Sequence, residues 1–239
     1  MKEYHVWDSI YALDDGGIPP LEGSGAAERE ILRAKLAASP ELYFDHFADL
    51  LQESGKSITG DITPAYSALP TEAFRRIAEG FSARGVQLKI VFLMRDPVER
   101  CWSAARMYRR KGLTVAGLDP AMTEADFVRL YAATPHALRR GRYDQTVTSM
   151  EHAIDAEAQL FGFYETLFEP EEVAAMTAFL GIDPPRGFES REFNVSPKSD
   201  ELSEVIRREI AERYRETLGF CEGRFPESRR LWDSYSLLG

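Results

Sequence analysis

The segment Leu88-Lys-Ile-Val-Phe-Leu-Met94, followed directly by Arg95-Asp-Pro-Val-Glu-Arg-Cys-Trp-Ser103, decides how the rest of the chain is read. A nearly continuous apolar run of this length is what a parallel strand covered on both faces requires, so residues 88–94 belong at the centre of a sheet. Asp96 can then cap a helix, Pro97 suits its first position and Glu99 sits in the electropositive first turn. A helix is therefore predicted from Pro97 to about Lys111. In open α/β sheets ligands sit beyond the carboxyl ends of the strands, where a helix N-terminus offers free N–H groups to an anion. Arg95 and Ser103 add a forked cation and a hydroxyl at that place.

Working outward, further strands are predicted at Glu3 to Trp7, Ser57 to Ile62 and Gln159 to Tyr164. Helices are predicted at Glu28 to Ala38, at Pro40 to Glu53 after the cap residue Ser39, and at Glu72 to Arg84 with Gly85 as the stop. Others are expected at Thr123 to Ala132, Gly141 to Ala153, Pro170 to Leu180 and Glu201 to Leu218. The order β, α, α, β, α, β implies an α/β fold: a three-layer, mostly parallel sheet with helices on both faces. No internal repeat and no linker rich in Gly, Ser or Pro interrupts the 239 residues, so residues 1–239 read as a single domain.

Composition narrows the functions. With 44% hydrophobic and 28% charged residues, and 17 Gly and 13 Pro, the chain is an ordinary globular one, long enough for an enzyme. Its net charge of −10 argues against nucleic acid and against acidic membranes as partners of the whole surface. The excess is uneven: residues 95–142 carry ten Lys and Arg against five Asp and Glu, a local +5. Arg109-Arg110-Lys111 reads as a solvated helix face; Arg139, Arg140 and Arg142 could meet an acidic acceptor or a nucleotide. Cys101 and Cys221 fit neither a disulfide framework nor a zinc cluster, and no apolar run is long enough to span a bilayer. A cytoplasmic location is the expectation.

The strand followed by Arg-Asp-Pro-x-x-Arg, with Ser103 on the helix, resembles the 3′-phosphate-binding segment of PAPS-dependent sulfotransferases. Lys2-Glu3-x-His5-x-Trp7-Asp8 is similar to the Lys-Glu-x-His-Phe-Phe-Asp segment of the heparan-sulfate type and its bacterial relatives. Gly60-Asp61-Ile62-Thr63-Pro64-Ala65-Tyr66 resembles their Gly-Glu-Lys-Thr-Pro-x-Tyr. The likeness runs on, more loosely, through Gly141-Arg-Tyr-Asp-Gln145, Leu160 to Tyr164 with Glu165, and Phe179-Leu-Gly-Ile182, in the family's order.

The resemblance implies a P-loop NTPase-like sulfotransferase fold and transfer of a sulfonate from PAPS, as co-substrate, to the hydroxyl or amine of a small-molecule or glycan acceptor. Such a transfer needs a base, cations for the leaving phosphate and in-line positioning, and it requires no metal. The resemblance makes Glu3 the base with His5 beside it, puts Asp8 on the substrate side, and gives the 3′-phosphate to Arg95 and Ser103. On a strand Glu3 and His5, two residues apart, would share one face. Tyr66 and Trp102 read as core aromatics rather than stacking platforms.

Two positions depart from the family. Ile62 stands where a lysine near the transferred sulfonate is expected, and no Pro-Lys-x-Gly-Thr-Thr loop for the 5′-phosphosulfate precedes the Lys-Glu segment. The chain thus reads as short by one strand-loop-helix unit of roughly 25 to 35 residues. Three expectations follow: a start further upstream, a catalytically impaired relative that binds nucleotide or acceptor without transfer, or completion of the site by another loop or the second subunit of a homodimer. A phosphoryl-transfer enzyme has no support, because no Gly-x-x-x-x-Gly-Lys-Ser/Thr segment and no magnesium-binding carboxylate pair is evident.

Overall fold

A computed structural model describes residues 3–13, 25–184 and 202–239. Along the chain these form α1 (Val6–Ile10), α2 (Ala26–Ala38), α3 (Pro40–Ser54), a 3-10 turn (Pro64–Ala68), α4 (Thr71–Ser82), β1 (Ile90–Met94), α5 (Pro97–Arg110), α6 (Glu124–Ala132), α7 (Pro135–Arg139) and α8 (Tyr143–Glu151). Then follow β2 (Gln159–Phe163), α9 (Pro170–Leu180), α10 (Glu204–Arg213), α11 (Arg215–Arg224), α12 (Ser228–Leu231) and a last 3-10 turn (Asp233–Leu237). The class is mixed α/β, with a two-stranded parallel sheet of β1 and β2. The residues group into two compact units, one of Met1–Ile90 with Gln145–Gln159, the other of Val91–Asp144 with Leu160–Gly239.

The first unit is built on aromatic side chains. Tyr43, Phe44 and Phe47 project from one face of α3 and meet Trp7 of α1 and Phe81 of α4, with ring centroids 5.1 to 6.1 Å apart. Burying rings of this size is worth about 1.5–3 kcal/mol each. Gly80 makes the closest approach possible: a Cβ there would lie 2.1 Å from the Phe44 ring. Arg84, one turn on, places its guanidinium 5.1 Å over that ring while reaching Asp45 and Glu41 at 2.7 and 2.8 Å.

In the second unit, α5 presents Val98, Cys101, Trp102 and Ala105 as a buried helical stripe to Phe127, Val128 and Tyr131 of α6 and to Ile206 and Ile210 of α10. Gly141 is bare because the Tyr214 ring occupies the position its Cβ would need, 2.4 Å away. The Tyr214 hydroxyl donates to Ala137 O at 2.9 Å and accepts from Arg100 at 3.2 Å. Tyr143 packs on Phe92 of β1, and the sheet ladder continues past β1 through Tyr164 N–H to Met94 O at 2.7 Å.

β1, β2 and the helices around Ser39–Pro40, Pro97 and Pro170 match the sequence expectation within a few residues. Two expected strands do not form. Residues 3–7 turn into α1, because His5 takes a left-handed conformation (φ 52°) and Ser9 Oγ donates to its carbonyl at 2.7 Å. Residues 57–62 form no strand, since the Asp61 side chain supplies the hydrogen bonds a ladder would have made. The long helix expected from Glu201 is broken at Tyr214 into α10 and α11. Lys2, most of the loop from Asp14 to Gly25, and Glu201 lie outside the described residues.

Candidate functional site

In the first unit the segment from Gly60 to Tyr66 forms a cradle. Pro64 starts the 3-10 turn, which carries the Tyr66 hydroxyl back onto Asp61 Oδ2 at 2.7 Å. Asp61 also accepts from Tyr43 Oη at 3.1 Å, Thr63 Oγ1 at 2.5 Å and Tyr4 N–H at 3.2 Å. Tyr66 Oη then accepts the Val6 N–H at 3.1 Å, and Thr63 Oγ1 accepts the Tyr4 N–H at 3.1 Å. Burial raises the Asp61 carboxyl above its ordinary value, and these donors oppose the rise by favouring the carboxylate. Backbone N–H groups on both sides of His5 are thereby fixed, which holds a left-handed conformation that costs a non-glycine residue about 1–3 kcal/mol.

That conformation assembles a chain of three ionisable side chains. His5 Nδ1 lies 2.7 Å from Asp8 Oδ2, and His5 Nε2 lies 3.5 Å from Glu3 Oε2. Asp8 is 1% exposed, whereas the Glu3 side chain is 40% exposed, so the chain runs from a buried carboxylate to an accessible one. Burial disfavours the His5 imidazolium, but its hydrogen bonds to Asp8 and Glu3 outweigh this and push His5 up to about 9. The structure therefore brings Glu3 and His5 together as expected, through a left-handed turn and not along a strand face. Asp8 stands behind His5, buried, at the helical i, i+3 spacing.

In the second unit the junction of β1 and α5 differs from the expectation in one respect. Asp96 Oδ1 accepts the N–H groups of Val98 and Glu99 at 2.8 and 3.2 Å, Pro97 has none, and Arg100 N–H bonds Asp96 O at 2.8 Å. The first-turn donors expected to be free for an anion are thus taken by the cap itself. The backbone of this turn therefore offers no free donor to an anion, and only side chains such as Arg95 and Ser103 are left to meet one. Arg95 stacks its guanidinium 4.5 Å over the Tyr164 ring, 3.9 Å from Glu99. Ser103, half-buried, lies one turn beyond Glu99 on the same face of α5.

Sequence reasoning missed what holds this junction. Ser234 donates to Asp96 through its N–H at 2.9 Å and through its hydroxyl. Glu165 accepts the Asp96 N–H at 2.9 Å and the Trp232 indole N–H at 3.2 Å, and Tyr143 Oη donates to Arg95 O at 2.8 Å. Of these, Tyr143 and Glu165 lie in segments that the family likeness had marked; Trp232 and Ser234 had no signal in the sequence.

Among the other candidates, Arg142 is committed to Asp144 through Nε at 3.0 Å and a terminal nitrogen at 2.8 Å. Trp102 is buried, its indole N–H donating to Glu124 at 2.7 Å under the Arg106 guanidinium. Ile62 is 63% exposed. Among the described residues there is no group of three or more His, Cys, Asp or Glu arranged to hold a metal ion, and no helix long and apolar enough to cross a membrane. Comparison with family models, with curated proteins and with solved structures finds no match to this chain.

Proposed function

We propose that this protein is a cytoplasmic sulfotransferase that moves a sulfonate from PAPS to an acceptor hydroxyl or amine, on a P-loop NTPase-like fold to which the parallel pair β1 and β2 belongs. The observation that carries this reading is the Glu3–His5–Asp8 chain, in which an accessible carboxylate is backed by a histidine that a buried aspartate fixes. In the reaction the acceptor oxygen or nitrogen forms its bond to sulfur while the bond from sulfur to the 5′-phosphate oxygen breaks. Glu3 takes the acceptor proton, and adenosine 3′,5′-bisphosphate (PAP) leaves. His5, charged at neutral pH, orients the Glu3 carboxylate; Asp8 orients His5. Arg95, with its plane set by Tyr164, and Ser103 hold the 3′-phosphate. The acceptor is a small molecule or a glycan.

Calorimetric titration of PAP into the purified protein tests the reading: one saturable site is expected, lost in Arg95→Ala and kept in Glu3→Gln, which abolishes transfer. An absence of PAP binding overturns it. A second reading, binding of nucleotide or acceptor without transfer, is favoured by exposed Ile62, where the resemblance calls for a lysine. It predicts PAP binding with no turnover for any acceptor tested.

A further inference from the structure

Arg95 owes its orientation to its backbone. The peptide before it is fixed by the last ladder bond, Tyr164 N–H to Met94 O at 2.7 Å; the one after it is fixed by Asp96 N–H to Glu165 at 2.9 Å. Its own carbonyl accepts from Tyr143 Oη at 2.8 Å. Among the described residues, the guanidinium itself has an aromatic face and a carboxylate 3.9 Å away, a weak hold on a flexible side chain.

The residues that pin this backbone are themselves held by one short segment, 232–237. Trp232, 2% exposed, donates its indole N–H to Glu165 Oε2 at 3.2 Å and lays its ring against Tyr143 and Phe163 at 6.0 and 5.6 Å. It thus touches two of the three groups that fix Arg95. Two residues on, Ser234 is wholly buried and donates both its N–H and its hydroxyl to the Asp96 carboxylate. Asp96 therefore serves α5 with one oxygen and shares both with Ser234. Burial holds the Glu165 carboxyl above its ordinary value, and the Asp96 N–H and Trp232 donors favour its charged form. Losing Trp232 would remove one of the donors that orient this carboxylate beside the Arg95–Asp96 peptide.

We propose that Trp232 and Ser234 are positioning residues for Arg95, and that docking of segment 232–237 is coupled to occupancy of the 3′-phosphate position. The inference rests on the sulfotransferase reading. Coupling of this kind is reciprocal: a ligand that engages Arg95 tightens the segment, and a loosened segment weakens that ligand. Because only the 3′-phosphate engages Arg95, the effect is selective for nucleotides that carry one.

The experiment compares binding of PAP and of adenosine 5′-monophosphate to the wild type, to Trp232→Phe, which keeps a ring and removes the indole N–H, and to Ser234→Ala. Each variant should bind PAP about tenfold more weakly, the loss expected for one hydrogen bond to a charged group, with 5′-monophosphate affinity unchanged. PAP should also slow amide hydrogen exchange across 232–237 in the wild type. Equal weakening of both nucleotides, or PAP affinity unchanged in both variants, overturns the inference while wild-type PAP binding leaves the sulfotransferase reading standing. A wild type that binds no PAP overturns both.

Discussion

Tyr66 donates its hydroxyl to Asp61 at 2.7 Å and with the same oxygen accepts the Val6 N–H at 3.1 Å. One phenol thus joins a partly buried carboxylate to the first residue of α1. Removing that hydroxyl in Tyr66→Phe leaves Asp61 short of a donor and Val6 N–H without an acceptor. The expected cost is about 2 kcal/mol, seen as a lower urea midpoint with an unchanged slope. Asp61→Asn should cost at least as much, because an amide cannot accept from every group that now faces the carboxylate.

Alkaline pH should destabilise the protein through His5. Its value rises from 6.5 in an unstructured chain to about 9 in the fold, because Asp8 and Glu3 favour the imidazolium. The stabilisation is complete below pH 6.5 and fades as pH rises through about 9, a loss of about 2–3 kcal/mol once the exposure of Glu3 is discounted. Urea midpoints measured from pH 6 to 10 should show the decline, and His5→Gln should flatten it.

His136 works in the opposite sense. Burial, with Arg140 and Arg100 nearby, lowers it from 6.5 to about 4, and its Nε2 lies 3.0 Å from the Tyr108 hydroxyl. Neutral His136 is the folded form, so stability is present above pH 6.5 and is lost as pH falls toward 4, by about 3 kcal/mol. Thermal melts between pH 4 and 7 should steepen in the wild type relative to His136→Phe.

Gly80→Ala places a methyl group inside the Phe44 ring position and should cost about 1–3 kcal/mol. Phe44→Leu frees that space. In a double-mutant cycle read by thermal melts, the combined loss should be smaller than the sum of the single losses.

What the sequence disclosed and what it concealed follow from where the determining contacts lie. β1 was legible because its apolar run is self-contained, and α5 because Asp96 and Pro97 act on their own next residues. The same segment misled about the anion site: a cap carboxylate and a bound anion compete for the same N–H groups, and only geometry gives them to Asp96. A strand was expected at 3–7 because nothing local announces that Thr63 and Tyr66, about sixty residues on, will bend the chain at His5. The break at Tyr214 carries no proline or glycine of its own; its cause is a hydroxyl drawn to Ala137 and Arg100 through the space left at Gly141. Glu3 and His5 were singled out by the family resemblance, as was the Gly60–Tyr66 segment, but the hydrogen bonds by which Asp61, Thr63 and Tyr66 fix the backbone around His5 carried no signal of their own.

The cap of α5 also has a chronology. Its first partners lie two and three residues from Asp96, so the carboxylate can nucleate the helix as soon as that turn exists. Its last partner, Ser234, lies 138 residues further along. During synthesis, therefore, α5 exists with a provisional cap while most of its unit has yet to be translated, and the Arg95 junction reaches its final form only when residue 234 arrives. A chain that has not yet reached residue 234 would hold α5 by its local cap alone, the carboxylate still short of its two most distant donors.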